Sequence, residues 1–84
     1  MSIKFSRWFE AARTAKWNAY RREHGLQTNT TFVGHPVHEM VGELLDLANY
    51  ADVANEHGHL DDVEVNAVRY HVDCIVKLLE QTGA

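Results

Sequence analysis

The sequence has one cysteine, one proline and no long uninterrupted run of apolar residues. A lone Cys74 cannot form a disulfide within the chain, which predicts a reducing, cytoplasmic location. No segment is long and apolar enough to span a membrane, and the N-terminus lacks the apolar core of a signal peptide, so no membrane partner is expected. With Pro36 as its only proline and many strong helix formers, the chain is predicted to be all-α.

The chain has 84 residues, of which 45% are apolar, and this composition is typical of one folded domain spanning residues 1–84. At this length the core of a monomer is marginal. Hydrophobic periodicity predicts a first helix over residues 2–23, with Ser2 or Ser6 as N-cap and Gly25 just after its end. A second helix is predicted over residues 36–55. A third runs from the N-cap Asp61, which forms a capping-box pattern with Glu64, to about Gln81.

Basic residues become scarce after residue 22. Residues 1–22 contain six of the eight Lys and Arg residues and one acid, Glu10, a net charge of +5. Residues 23–84 contain only Arg69 and Lys77 against eleven acids, a net charge of −9. This asymmetry indicates either complementarity between the two parts or a polyanionic ligand at the N-terminal part. The acidic remainder would repel duplex nucleic acid, which is therefore not favoured as a partner.

The second predicted helix carries a ladder of acidic residues. At 100° per residue, Glu39, Glu43 and Asp46 fall with Tyr50 within an arc of about 60°, opposite the apolar face. Like charges one turn apart weaken a helix by a few tenths of a kcal/mol per pair, so the ladder requires an explanation. Carboxylates are the ligands that Mg²⁺ prefers, and Asn49, toward the edge of this face, could orient a phosphate or a water. A solvated acidic face is the alternative.

The segment Glu43-Leu-Leu-Asp46-Leu-Ala-Asn49-Tyr50 resembles the ExxD helix of MazG-like nucleotide pyrophosphohydrolases. The resemblance covers residues 36–55. It implies an all-α fold in which carboxylates hold Mg²⁺ against the triphosphate of a nucleoside triphosphate, releasing pyrophosphate and a monophosphate. Such enzymes carry an ExxE pair on the preceding helix, where this chain has only Glu10 and Glu23, which do not form that motif.

Under this hypothesis the protein is a Mg²⁺-dependent pyrophosphohydrolase or a degenerate nucleotide-binding protein. The expected metal ligands are Glu39, Glu43 and Asp46, with Glu43 as the catalytic residue. The remaining expected ligand-binding residues are Asn49, Lys77, Arg69 and Lys16, with Arg13 as a further basic candidate. The second hypothesis is a small acidic protein without enzymatic activity, an interaction or inhibitor protein whose acidic helix binds a basic partner protein.

The third predicted helix has two apolar faces. The main face comprises Val65, Val68, Val72, Ile75, Val76 and Leu79. The second face, on roughly the opposite side, comprises Val63, Ala67, Tyr70, Cys74 and Leu78, with His71 beside it. A helix in a three-helix monomer buries only one such face, so the second is expected to pack against another copy of the chain. The sequence therefore predicts a homo-oligomer that completes a helical bundle.

Two histidine pairs flank the second helix. His35 and His38 lie at its start, and His57 and His59 follow its end. With the neighbouring glutamates they could bind Zn²⁺ across an oligomer interface, but a helix about 30 Å long separates the pairs within one chain. Roles in caps and turns are the commoner outcome for such histidines.

Overall fold

A computed structural model describes residues 3–27, 29 and 32–82 of the chain. The described part contains three α-helices and no β-strand: α1 (Arg7–Glu23), α2 (Pro36–Glu56) and α3 (Asp62–Gln81). The prediction of an all-α, three-helix chain is confirmed. The chain divides into two compact units, residues 1–33 and residues 34–84. Among the described helices, none is long and apolar enough to cross a membrane.

The first helix begins later than its periodicity predicts. Ser6 occupies the N-cap position with φ −59° and ψ 155°, and its side chain makes no capping hydrogen bond. Residues 3–6 are not helical. The ring of Phe5 instead packs against that of Phe9, with centroids 4.9 Å apart, and the guanidinium of Arg13 lies over the Phe5 ring. The prediction of a start at residue 2 is therefore wrong, and Ser2 itself lies outside the described residues.

The end of α1 is set by Gly25, as predicted. Its φ of +66° is in the left-handed region that glycine adopts without a steric penalty. The amide of Leu26 donates to the carbonyl of Arg21 at 2.9 Å. The amide of Gly25 donates to the carbonyl of Arg22 at 3.4 Å. These two bonds form a Schellman motif, which satisfies carbonyls that the helix end would leave without donors.

Aromatic side chains organise the rest of the N-terminal unit. The ring of Trp17 stacks on that of Tyr20 with centroids 5.1 Å apart, and Phe32 lies 6.1 Å from Trp17. The indole Nε1 of Trp17 donates to Oδ1 of Asn29 at 2.8 Å. Trp17 lies off the apolar stripe of α1. It stacks on Tyr20 of the same helix, and its other partners, Asn29 and Phe32, come from the segment that follows the helix in this unit.

The second unit is a hairpin formed by α2 and α3, which pack against each other. Pro36 occupies the first position of α2, and the imidazole of His35 accepts a hydrogen bond from the amide of His38. The capping box of α3 is present: Glu64 N–H donates to Asp61 Oδ1 at 2.8 Å, and Asp61 N–H donates to Glu64 Oε1 at 3.0 Å. The predicted bounds of both helices are confirmed to within one residue.

The core of this hairpin is small. Among the described residues only Ala51, Val65 and Leu79 are buried. The half-buried apolar residues around them lie on the facing sides of the two helices: Val37, Leu44, Ala48, Val68, Val72 and Val76. The predicted main face of α3 thus packs against α2. Two helices bury little apolar area, so the stability that this core provides is limited.

The second apolar face of α3 is exposed. Val63, Tyr70 and Leu78 retain 79%, 66% and 58% of their accessible surface. Ala67 and Cys74, which lie between them, are also exposed. The hairpin does not cover this face, and its burial in an oligomer remains a prediction.

Candidate functional site

The acidic ladder lies on the solvent-exposed side of α2. Glu39, Glu43 and Asp46 are all exposed, and Tyr50, on the same arc, retains 73% of its accessible surface. In the described residues the ion pairs are Glu10–Arg13, Asp52–Arg69 and Asp73–Lys77. None of these pairs involves the ladder. The ladder residues Glu39, Glu43 and Asp46 together form the surface that we call the acidic face.

The local structure explains why these side chains share one side of the helix. Residues four and three apart in an α-helix are displaced by about 40° and 60° around the axis, in opposite directions. Glu39, Glu43 and Asp46 follow that spacing in a helix that continues without a break from Pro36 to Glu56. Glu39 lies in the first turn, where its charge interacts favourably with the helix dipole. Glu43 and Asp46 lie beyond that turn and have no such compensation.

The described residues contain no group of three or more His, Cys, Asp or Glu side chains arranged to hold a metal ion. The three carboxylates come from a single helical face, whereas a metal site needs donors that surround the ion. The metal-ligand roles of Glu39, Glu43 and Asp46, and the catalytic role of Glu43, therefore stay predictions.

Arg69, a predicted phosphate ligand, is engaged by a carboxylate of the same hairpin. Its Nε donates to Oδ1 of Asp52 at 3.0 Å, and its Nη2 donates to the same oxygen. The pair joins α3 to α2 at the edge of their contact. Asp52 was not among the predicted site residues, although it lies at the border of the apolar face of α2, where a cation on a neighbouring helix can reach it.

Lys77 forms an ion pair within its own helix. Its Nζ lies 2.8 Å from Oδ2 of Asp73, one turn earlier in α3. The hydrogen bond from Nζ to this carboxylate, together with its negative charge, raises the pKa of Lys77 above its ordinary value. Lys77 and Arg69 are thus the cations of two ion pairs on the exposed surface of the hairpin.

The other two predicted ligand residues, Asn49 and Lys16, lie in different units of the chain. Asn49 is exposed on α2, about 60° around the helix from Asp46. Lys16 is exposed on α1, in the N-terminal unit. Their roles in binding a nucleotide stay predictions.

The histidines have local partners at the ends of α2. The imidazole rings of His35 and His38 stack, with centroids 3.9 Å apart, and His35 caps the helix. The rings of His57 and His59 lie 6.1 Å apart in the turn after α2. The positions of His35, His57 and His59 agree with the predicted cap and turn roles, whereas His38 lies within the first turn of α2.

No protein-family model, curated protein or solved structure matches this chain. The resemblance of residues 36–55 to MazG-like pyrophosphohydrolases therefore stays a prediction.

Proposed function

We propose that the protein is an interaction protein without enzymatic activity, and that the acidic face of α2 binds a basic partner protein. The observation that carries this proposal is the exposure of Glu39, Glu43 and Asp46 on one helical face, without an ion-pair partner among the described residues.

The electrostatics of the acidic face support a cationic partner. Each pair of like charges one turn apart in the ladder destabilises the helix by a few tenths of a kcal/mol. A bound cationic surface relieves this repulsion. Concentrated charge of one sign also accelerates the encounter with an oppositely charged protein and disfavours partners of like charge. Tyr50 extends the same face with an exposed aromatic side chain, a residue type that is enriched in protein interfaces.

Binding of an arginine-rich peptide of about ten residues tests the proposal. Neutralising two ladder residues in the variant Glu43→Gln/Asp46→Asn is expected to weaken binding by about tenfold, since exposed ion pairs contribute up to about 1 kcal/mol each. The matched control is Glu56→Gln/Glu80→Gln, which removes the same charge from exposed positions outside the ladder. The control is expected to bind like the parent. Equal losses in both variants would show that only net charge matters and would contradict the proposal.

A second measurement separates this function from the pyrophosphohydrolase hypothesis. Thermal melting is recorded with and without millimolar Mg²⁺ and a nucleoside triphosphate, beside an assay for released pyrophosphate. For an interaction protein, we expect Mg²⁺ and the nucleotide to leave the melting temperature unchanged and no pyrophosphate to be released. A Mg²⁺-dependent rise in the parent's melting temperature that Glu43→Gln reduces, accompanied by pyrophosphate release, would instead establish the enzymatic role.

A further inference from the structure

The acidic face of α2 continues into an exposed apolar strip. Met40 and Leu47 each retain 47% of their accessible surface. They lie seven residues apart and so on nearly the same side of the helix, with Glu43 about 60° away. This side of α2 thus combines apolar area with a carboxylate border, a combination typical of a helix that docks another amphipathic helix.

The N-terminal unit presents the opposite combination on α1. Trp8 retains 73% of its accessible surface, and Phe9 retains 40%. Arg13 and Lys16 border this aromatic surface and are also exposed, and Arg13 forms an exposed ion pair with Glu10 on the same helix. We call Trp8, Phe9, Arg13 and Lys16 the basic aromatic face of α1.

The two helices carry opposite net charge. From Arg7 to Glu23, α1 contains five basic and two acidic residues, a net charge of +3. From Pro36 to Glu56, α2 contains five acidic residues and no Lys or Arg, a net charge of −5. The two surfaces have opposite charge, and both carry exposed apolar area. Each is therefore chemically suited to bind the other.

We propose that the basic aromatic face of α1 in one copy of the chain binds the acidic face of α2 in a second copy. This inference rests on the proposed function and names the basic partner as another copy of the protein. A second copy is favoured because the described hairpin buries only three residues, and small domains often gain the missing core by oligomerisation. Reciprocal exchange of α1 closes a two-fold dimer with two equal contacts.

Charge reversal on each face separately tests this proposal with the full-length protein. The variants are Arg13→Glu/Lys16→Glu on α1 and Glu43→Lys/Asp46→Lys on α2. In sedimentation experiments each variant alone is expected to associate at least about tenfold more weakly than the parent, because like charges then face each other. An equimolar mixture of the two variants is expected to restore association, because each altered face meets its complement. Circular dichroism verifies that both variants remain helical.

The matched control is Glu56→Lys/Glu80→Lys, which changes the net charge as much as the α2 variant does, but at exposed positions away from the acidic face. It is expected to associate like the parent. Association of the parent should also weaken as salt rises from 0.1 M to 1 M, since the screening length falls from about 10 Å to about 3 Å.

The outcomes separate this inference from the proposed function. A monomeric parent, unchanged association of the single-face variants, or a mixture that fails to restore association would each overturn the inference. If the arginine-rich peptide still binds the acidic face in that case, the proposed function stands with a different partner. If the peptide does not distinguish the ladder variant from its control either, both proposals are wrong.

Discussion

Arg69 and Asp52 join the two helices of the hairpin through a hydrogen bond of 3.0 Å from Nε to Oδ1. Their side chains retain 55% and 45% of their accessible surface, so water screens the pair. A predicted ligand of phosphate thus serves as a contact between α3 and α2.

The strength of this pair can be measured by a double-mutant cycle with Asp52→Asn and Arg69→Gln. We expect a coupling free energy of about 0.5 kcal/mol, because exposed ion pairs contribute little. Chemical denaturation of the parent, both single variants and the double variant provides the value. A coupling near zero would show that the pair adds no stability to the hairpin.

Two adjacent leucines near the end of α3 differ in burial and should differ in their effect on stability. Leu79 is buried against α2, whereas Leu78 is largely exposed. Leu79→Ala is expected to lower the free energy of unfolding by about 2 kcal/mol or more, because it leaves a cavity in a small core. Leu78→Ala, measured at low protein concentration, should lower it by less than about 0.5 kcal/mol. Similar losses in the two variants would contradict the observed orientation of α3.

The exposed second face of α3 predicts association through this helix. Leu78→Glu is expected to weaken assembly and to leave the helical content unchanged, since it places an unpaired charge in the predicted interface. Light scattering at micromolar concentration measures the change. Asn66→Glu is the control, because it adds the same charge to an exposed position of α3 beside that face. A parent that is monomeric at these concentrations would refute the predicted homo-oligomer.

The pairing of Lys77 with Asp73 has a consequence for titration. Since the Asp73 carboxylate raises the pKa of Lys77, Asp73→Asn is expected to lower that pKa toward its ordinary value. A raised pKa in the folded state stabilises the fold below the pKa of the unfolded chain, and this contribution disappears as pH rises through the folded pKa. Neutral pH therefore retains it in full. An NMR titration of the Lys77 side chain checks the shift, and an unchanged pKa in Asp73→Asn would contradict the ion pair.

The sequence alone determined most of the secondary structure, because local signals are strong in this chain. Pro36 marks the first turn of α2, Gly25 has the positive φ that ends α1, and Asp61 with Glu64 forms the capping box of α3. Each signal depends on a few neighbouring backbone groups, so no knowledge of the tertiary structure was needed. The start of α1 was the exception. Periodicity extends through Phe5, but its ring packs onto Phe9 from a non-helical segment.

Only the tertiary structure decided what the charged side chains contact. Periodicity placed Glu39, Glu43 and Asp46 on one side of α2, yet it could not tell a converging metal site from an exposed surface. That distinction depends on which groups other elements bring near, and the ladder has no ion-pair partner among the described residues. The pairing of Arg69 with Asp52 likewise follows from the packing of α3 on α2. Residues seventeen positions apart in the sequence meet only because the hairpin brings them together.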